Sequence, residues 1–125
     1  MTEAEAQEFA QQWIEAWNSH DLERILSHYA EDVEVTSPLV EAVLGPGRVM
    51  VRGKPALRAY WGKALVRFPD LRFVLFRAYA GARSLVLHYQ SVQALVGAEC
   101  MELDADGRVC RVLAHYALGP DPVAA

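Results

Sequence analysis

Trp13-Ile14-Glu15-Ala16-Trp17-Asn18-Ser19-His20-Asp21-Leu22, running on to His28-Tyr29-Ala30-Glu31-Asp32-Val33, is the stretch from which the rest of the chain is read. Trp13, Ile14 and Trp17 continue a spacing of three to four that begins at Phe9, so one helical face is apolar. Upstream, Thr2 and Glu5 stand at the spacing of a capping box, which predicts a helix ending near Asn18. Ser19-His20-Asp21 then offers a fresh N-cap, and Leu22, Ile25, Leu26 and Tyr29 give a second short helix its apolar positions. After this helical hairpin, Val33, Val35 and Ser37 alternate with Glu34 and Thr36, and Pro38 closes a short strand with one buried face.

Beyond the strand, Leu39 to Gly53 reads as a loop, because it carries Gly45-Pro46-Gly47 and Gly53. It also contains Val40, Val43, Leu44, Val49, Met50 and Val51, and an apolar loop of this kind covers something. Pro55 suits the first turn of a third helix that presents Leu57, Tyr60, Trp61, Ala64, Leu65 and Phe68 before Pro69 stops it. The period then changes. Leu71 to Tyr79, Leu85 to Val92, Val96 to Leu103 and Val109 to Leu118 are rich in β-branched and aromatic residues, and Asp104-Ala105-Asp106-Gly107 is a turn between the last two. Helices followed by an antiparallel meander predict an α+β domain.

A chain of 125 residues fits one domain, and its 53% apolar and 22% charged composition is that of a packed globular protein, not a disordered one. The formal net charge is −4 and the basic residues are scattered, so no electrostatic footprint for nucleic acid or anionic lipid is present. The acidic start and the lack of any apolar run near the ~18 residues of a membrane span leave the cytoplasm as the expected location. Cys100 and Cys110 stand in no metal-binding spacing and are expected to remain buried thiols. His28, Glu31 and Asp32 have no established ligand geometry either, so neither metal nor cofactor is expected.

The faces of the sheet depend on its turns. With a two- or four-residue turn at Asp106-Gly107, Glu99 and Met101 share a face with Cys110, Val112, Ala114 and Tyr116, and a three-residue loop reverses this. With a turn at Gln93-Ala94, His88 lies opposite Glu99, on one face with Val86 and Gly97. The other face then holds Leu85, Leu87, Tyr89, Ala98, Cys100, Leu113 and His115. It is too apolar to meet water, so a homodimer through that outer face is expected.

The opening stretch, together with Arg52-Gly53-Lys54-Pro55-Ala56-Leu57 and Asp106-Gly107-Arg108-Val109, resembles the nuclear transport factor 2-like superfamily, and within it the SnoaL-like branch. The resemblance covers about residues 3–118 of a single domain taken as 1–125. It implies a cone in which a curved antiparallel sheet and three helices enclose a pocket, as in ketosteroid isomerase and SnoaL-type polyketide cyclases. Ketosteroid isomerase uses a carboxylate base, with a tyrosine and a protonated acid on the enolate oxygen. By resemblance the base falls at Ser37, which cannot shuttle a proton as a carboxylate does, the tyrosine at Trp13, and the protonated acid at Glu99. Tyr29, Tyr60 and Trp61 fall on aromatic wall positions, and Val112, Ala114 and Tyr116 on inward positions of the last strand.

These readings make Glu99 and His88 the candidate catalytic pair, with Trp13, Trp17, Tyr29, Ser37, Tyr60, Trp61, Val86, Val112, Ala114 and Tyr116 as candidate ligand contacts. Each has a plainer reading, as a core aromatic at helical spacing or as an ion pair that fixes the sheet. The expected partner is a small apolar molecule. The leading function is acid–base isomerisation or cyclisation of a carbonyl compound; the alternatives are a non-catalytic binding or dimerisation module and an epoxide-hydrolase-like enzyme.

Overall fold

In the computed structural model, which describes residues 1–118, Thr2 caps helix α1 (Glu3–Ser19). Its hydroxyl accepts from the Glu5 N–H at 3.1 Å and the Glu5 carboxylate accepts from the Thr2 N–H at 3.0 Å, so both halves of the capping box form. His20 ends the helix in a left-handed conformation (φ 60°), and Asp21 caps the short α2 (Leu22–Leu26) by accepting from the Arg24 N–H. Tyr29, read from sequence as the last apolar position of that helix, instead opens strand β1 (Tyr29–Thr36). Five residues are too few to hold a helix by local bonds, and β1 gains a ladder on either side.

The stretch expected to be a loop contains two more elements. Ser37 accepts from the Leu39 N–H at 3.1 Å and Pro38 follows it, so Ser37 is the N-cap of α3 (Pro38–Leu44). Strand β2 (Met50–Arg52) then pairs antiparallel with β1. Helix α4 (Lys54–Arg67) is followed by β3 (Val74–Ala80), β4 (Ser84–Gln90), β5 (Val96–Leu103) and β6 (Val109–Ala117).

The six strands form one curved, unclosed sheet in the order β2-β1-β6-β5-β4-β3. The α+β class stands, with two refinements. The three expected helices are joined by α3, and one pairing, β1 with β6, is parallel: Val35 lies beside Val112. That pairing joins segments far apart in the sequence, a long-range contact that no local pattern encodes. Helix α1 packs on β3 and α4 on β1, and the core lies between them and the sheet. Among the described residues no helix is long and apolar enough to cross a membrane.

Candidate functional site

The register of β4 against β5 decides which side chains meet Glu99. Leu87 is opposite Glu99, Tyr89 opposite Gly97 and His88 opposite Ala98. The inner residues of β4 are therefore the buried Leu85, Leu87 and Tyr89, while Val86 and His88 point to the outer face. This corrects the expected pairing of His88 with Glu99 and the expected place of Val86 in the pocket. Its cause is one residue: Ser91 and Leu95 are joined by hydrogen bonding across three residues, with Val92 turned into the core, and a one-residue slip reverses every side chain of a strand. His88 instead packs edge-to-face on Phe76, at 5.2 Å between ring centres.

On the other side of β5, Glu99 lies beside Ala114, Gly97 beside Tyr116 and Met101 beside Val112, so Glu99, Met101, Val112, Ala114 and Tyr116 share the face expected for a two- or four-residue turn although the turn has three residues. Cys110 is the exception. Leu103 pairs with Val109 and Glu102 with Arg111, so Cys110 is the extra residue of a bulge, half-buried, and Val109 takes the inner place.

Helix α1 closes the other wall. The side chain of Asn18 both accepts from the Phe73 N–H (2.7 Å) and donates to the Phe73 carbonyl (3.0 Å), and His20 Nε2 bonds the Leu71 carbonyl at 2.8 Å. These two polar residues at the helix end thus hold Leu71 and Phe73 over the tryptophans. Trp13 stacks on Phe73 at 5.6 Å, Trp17 meets Trp61 edge-on at 4.9 Å, and Trp61 meets Tyr29 at 4.8 Å. Each such pair adds about 0.5–1.5 kcal/mol beyond its buried area, so the cage is both core and wall.

Inside is a cavity of about 60 Å³. Of the expected contacts, Trp13, Trp17, Tyr29, Ser37, Tyr60, Trp61, Val112 and Tyr116 line it together with Glu99. Ala114 faces inward and is buried without lining it. The sequence reading missed Tyr89, Phe73 and Ser91, and did not place Leu39 and Val43, which reach the cavity from α3. The signal for Tyr89 was present in Gly97, a glycine inside a strand. A Cβ there would stand 2.8 Å from Tyr89 Cε1 and 3.2 Å from Tyr116 Cε1, so the bare backbone makes room for two phenol rings.

Those phenols converge on the acid. Tyr89 donates to Glu99 Oε1 at 2.9 Å, and the Tyr116 hydroxyl is 3.4 Å from the same oxygen. Burial pushes the Glu99 carboxyl up from 4.5 to about 7, against the two tyrosine hydrogen bonds that favour its charged form. Burial first, and the Glu99 charge second, also raise the Tyr29, Tyr60, Tyr89 and Tyr116 hydroxyls, so they act as donors and not as bases. Trp13 Nε1 donates to the Tyr29 hydroxyl at 2.8 Å.

With this geometry, the chain can be compared with known proteins. The SnoaL-like domain model matches residues 10–117. The chain belongs to the SnoaL-like family. No curated protein matches it. A SnoaL-like protein of unknown function from Burkholderia thailandensis is 43% identical, with a TM-score of 0.87 over 94% of this chain and 98% of that one. A proposed isomerase of the SnoaL-like family from Agrobacterium tumefaciens is 21% identical, with a TM-score of 0.73 over 91% of this chain and 98% of the other. The epoxide hydrolase/cyclase-like enzyme SalBIII of salinomycin pyran-ring formation shares 13% identity and a TM-score of 0.73 over 92% of each chain. The last two likenesses are of fold.

Proposed function

We propose that this SnoaL-like protein is an isomerase- or cyclase-type enzyme that moves a proton on a small apolar carbonyl compound, with Glu99 giving and taking the proton. The observation that carries the reading is a carboxyl, the one buried among the described residues, inside an aromatic cavity and pushed up by burial to about 7. A group half protonated at neutral pH serves equally as base and acid. As carboxylate, Glu99 takes a proton from carbon α to the carbonyl. The C–H electron pair moves into the enol system and the negative charge onto oxygen, where a phenol or indole donor meets it. The neutral Glu99 then returns the proton to a different atom. Tyr89 and Tyr116 replace His88 as the groups that hold the acid.

At about 60 Å³ the cavity is far below the roughly 300–1,000 Å³ of drug-sized sites, so as closed it takes a compound of few heavy atoms. Proton exchange at the α-carbon of small cyclic ketones in D₂O, followed by NMR, tests the reading. Exchange is expected to follow an inflection near pH 7 and to fall by about 10²–10⁴-fold in Glu99→Gln. Equal exchange by the variant sinks the proposal.

One observation favours the non-catalytic alternative. Glu41, the carboxylate of the segment from Leu39 to Met50, is exposed and accepts from the Gly47 N–H at 2.8 Å, outside the cavity. Ligand binding with no exchange in the wild type is what that reading predicts. The epoxide-hydrolase reading is weaker, because the described cavity lining holds no aspartate, arginine or asparagine to place a water. For the outer face, where Val86, His88, Cys100 and Leu113 are half-buried beside Phe76, a second copy of the chain remains the occupant we favour. Sedimentation equilibrium of Val86→Glu, expected to be monomeric where the wild type is dimeric, checks it.

A further inference from the structure

The Trp17 indole nitrogen is buried and has no hydrogen-bond partner, alone in this respect among the side-chain nitrogens and oxygens of the described residues. Leaving a buried donor unpaired costs about 1–3 kcal/mol. The position is not loosely held: Trp17 is pinned edge-on against Trp61 at 4.9 Å and packs on Phe73 at 5.4 Å and on Trp13 at 6.2 Å. Its ring lines the cavity, as does Tyr29.

Next to it stands a second donor with nothing to donate to. The Tyr29 oxygen already accepts from Trp13 Nε1, and no acceptor among the described residues takes its O–H. Trp17 Nε1 lies within reach of the Tyr29 oxygen and favours its ionised form as a nearby donor does, but the contact lacks the distance or alignment of a hydrogen bond. Indole is a donor only and a phenol proton can be given once, so this corner of the cavity offers two N–H or O–H groups and lacks an acceptor.

We infer that Trp17 Nε1 and the Tyr29 hydroxyl together seat an uncharged oxygen of the ligand, a carbonyl whose two lone pairs accept one bond from each. The inference rests on the acid–base reading only for the identity of the compound, since it fixes where the carbonyl lies relative to Glu99. A carboxylate or phosphate is a poorer occupant, because no lysine, arginine or histidine lines the described cavity and the walls are aromatic. A water is poorer too: after accepting both bonds it would present its own two O–H groups to indole and phenyl surfaces. Trp13 is then a positioning residue, holding the Tyr29 oxygen so that its proton turns toward the ligand.

The test uses cyclopentanone and its near-isostere methylenecyclopentane, with the tryptophan indoles ¹⁵N-labelled. Cyclopentanone is expected to move the Trp17 Nε1–H resonance downfield and slow its exchange with water, while the hydrocarbon leaves both unchanged. In Trp17→Phe, affinity for the ketone is expected to fall about tenfold and that for the hydrocarbon to stay within about twofold. Equal loss for both probes, or a Trp17 signal indifferent to the ketone, overturns the assignment. The wild-type comparison stands even if the variant fails to fold. The same shift is expected in Glu99→Gln, which keeps both donors; a ketone-dependent shift in a wild-type protein that exchanges no α-proton supports the seat and defeats only the acid–base reading.

Discussion

The two hairpins that flank β5 each turn through three residues, Val92–Ala94 on one side and Ala105–Gly107 on the other, between hydrogen-bonded neighbours. On the β6 side Cys110, the third residue after the turn, is inserted as a bulge, which restores the alternation, so Glu99, Val112 and Tyr116 share a face. On the β4 side no residue is inserted, and the alternation stays reversed: Tyr89 faces Glu99's side and His88 faces away. The turns also differ in cost. Gly107 takes its left-handed conformation (φ 78°) freely, whereas Gln93 (φ 54°) and Ala94 (φ 60°) take theirs against a penalty of about 1–2 kcal/mol each. The face a strand presents is thus set by turn and bulge together, and the site depends on both.

The largest effect should come from the face of β4. Leu87 is fully buried and Val86 is half-buried on the other side, so Leu87→Ala should cost about 2–5 kcal/mol in chemical denaturation and Val86→Ala under about 1. Similar costs for the two would break the register described above.

Glu99 gives the next effect. Its folded value lies above its unfolded one, so the folded state holds the proton more tightly. The resulting stability is full below about pH 4.5 and is lost as pH rises through about 7. The span corresponds to on the order of 3 kcal/mol. Urea midpoints measured from pH 4 to 8 should fall in the wild type and stay level, relative to it, in Glu99→Gln.

Gly97→Ala should cost about 1–3 kcal/mol, because the new methyl meets Tyr89 Cζ at 2.9 Å and Tyr89 is wedged between Trp13 and Phe73, each at 5.0 Å. The same variant should raise the Glu99 titration point, read by ¹³C NMR, since displaced phenols no longer favour the carboxylate. An unchanged titration with lowered stability would mean that the tyrosines matter only as packing. The smallest effects compare the turns directly: Gly107→Ala should destabilise by about 1 kcal/mol and Ala94→Gly should stabilise by about 0.5.

Much of the helical wall was legible because its signals are local. Thr2 and Glu5, the spacing of Trp13 and Trp17, and the Asp21 cap all act within one or two turns of helix. Helix α3 was hidden by the glycines that follow it, Gly45 and Gly47, though Ser37 before Pro38 was its start signal. The candidate site was legible in part. Glu99, Ser37, Tyr60, Trp61 and Tyr116 do line the cavity, whereas Tyr89 was placed outside because the turn was read as Gln93-Ala94 and it also takes in Val92, an apolar residue that gives no turn signal. The Cys110 bulge had no sequence signal either, and the expected face of β6 survives because the bulge offsets a three-residue turn.

By itself the sequence determined the class of fold and the aromatic helix faces, since apolar periodicity and caps are short-range properties of the chain. Only the tertiary structure decided that Tyr89 and not His88 holds Glu99, that β1 lies parallel to β6, and that Trp17 is left without a partner. Those depend on strand register and on contacts between distant segments, where a single residue at a turn reverses a face and no local preference registers the change.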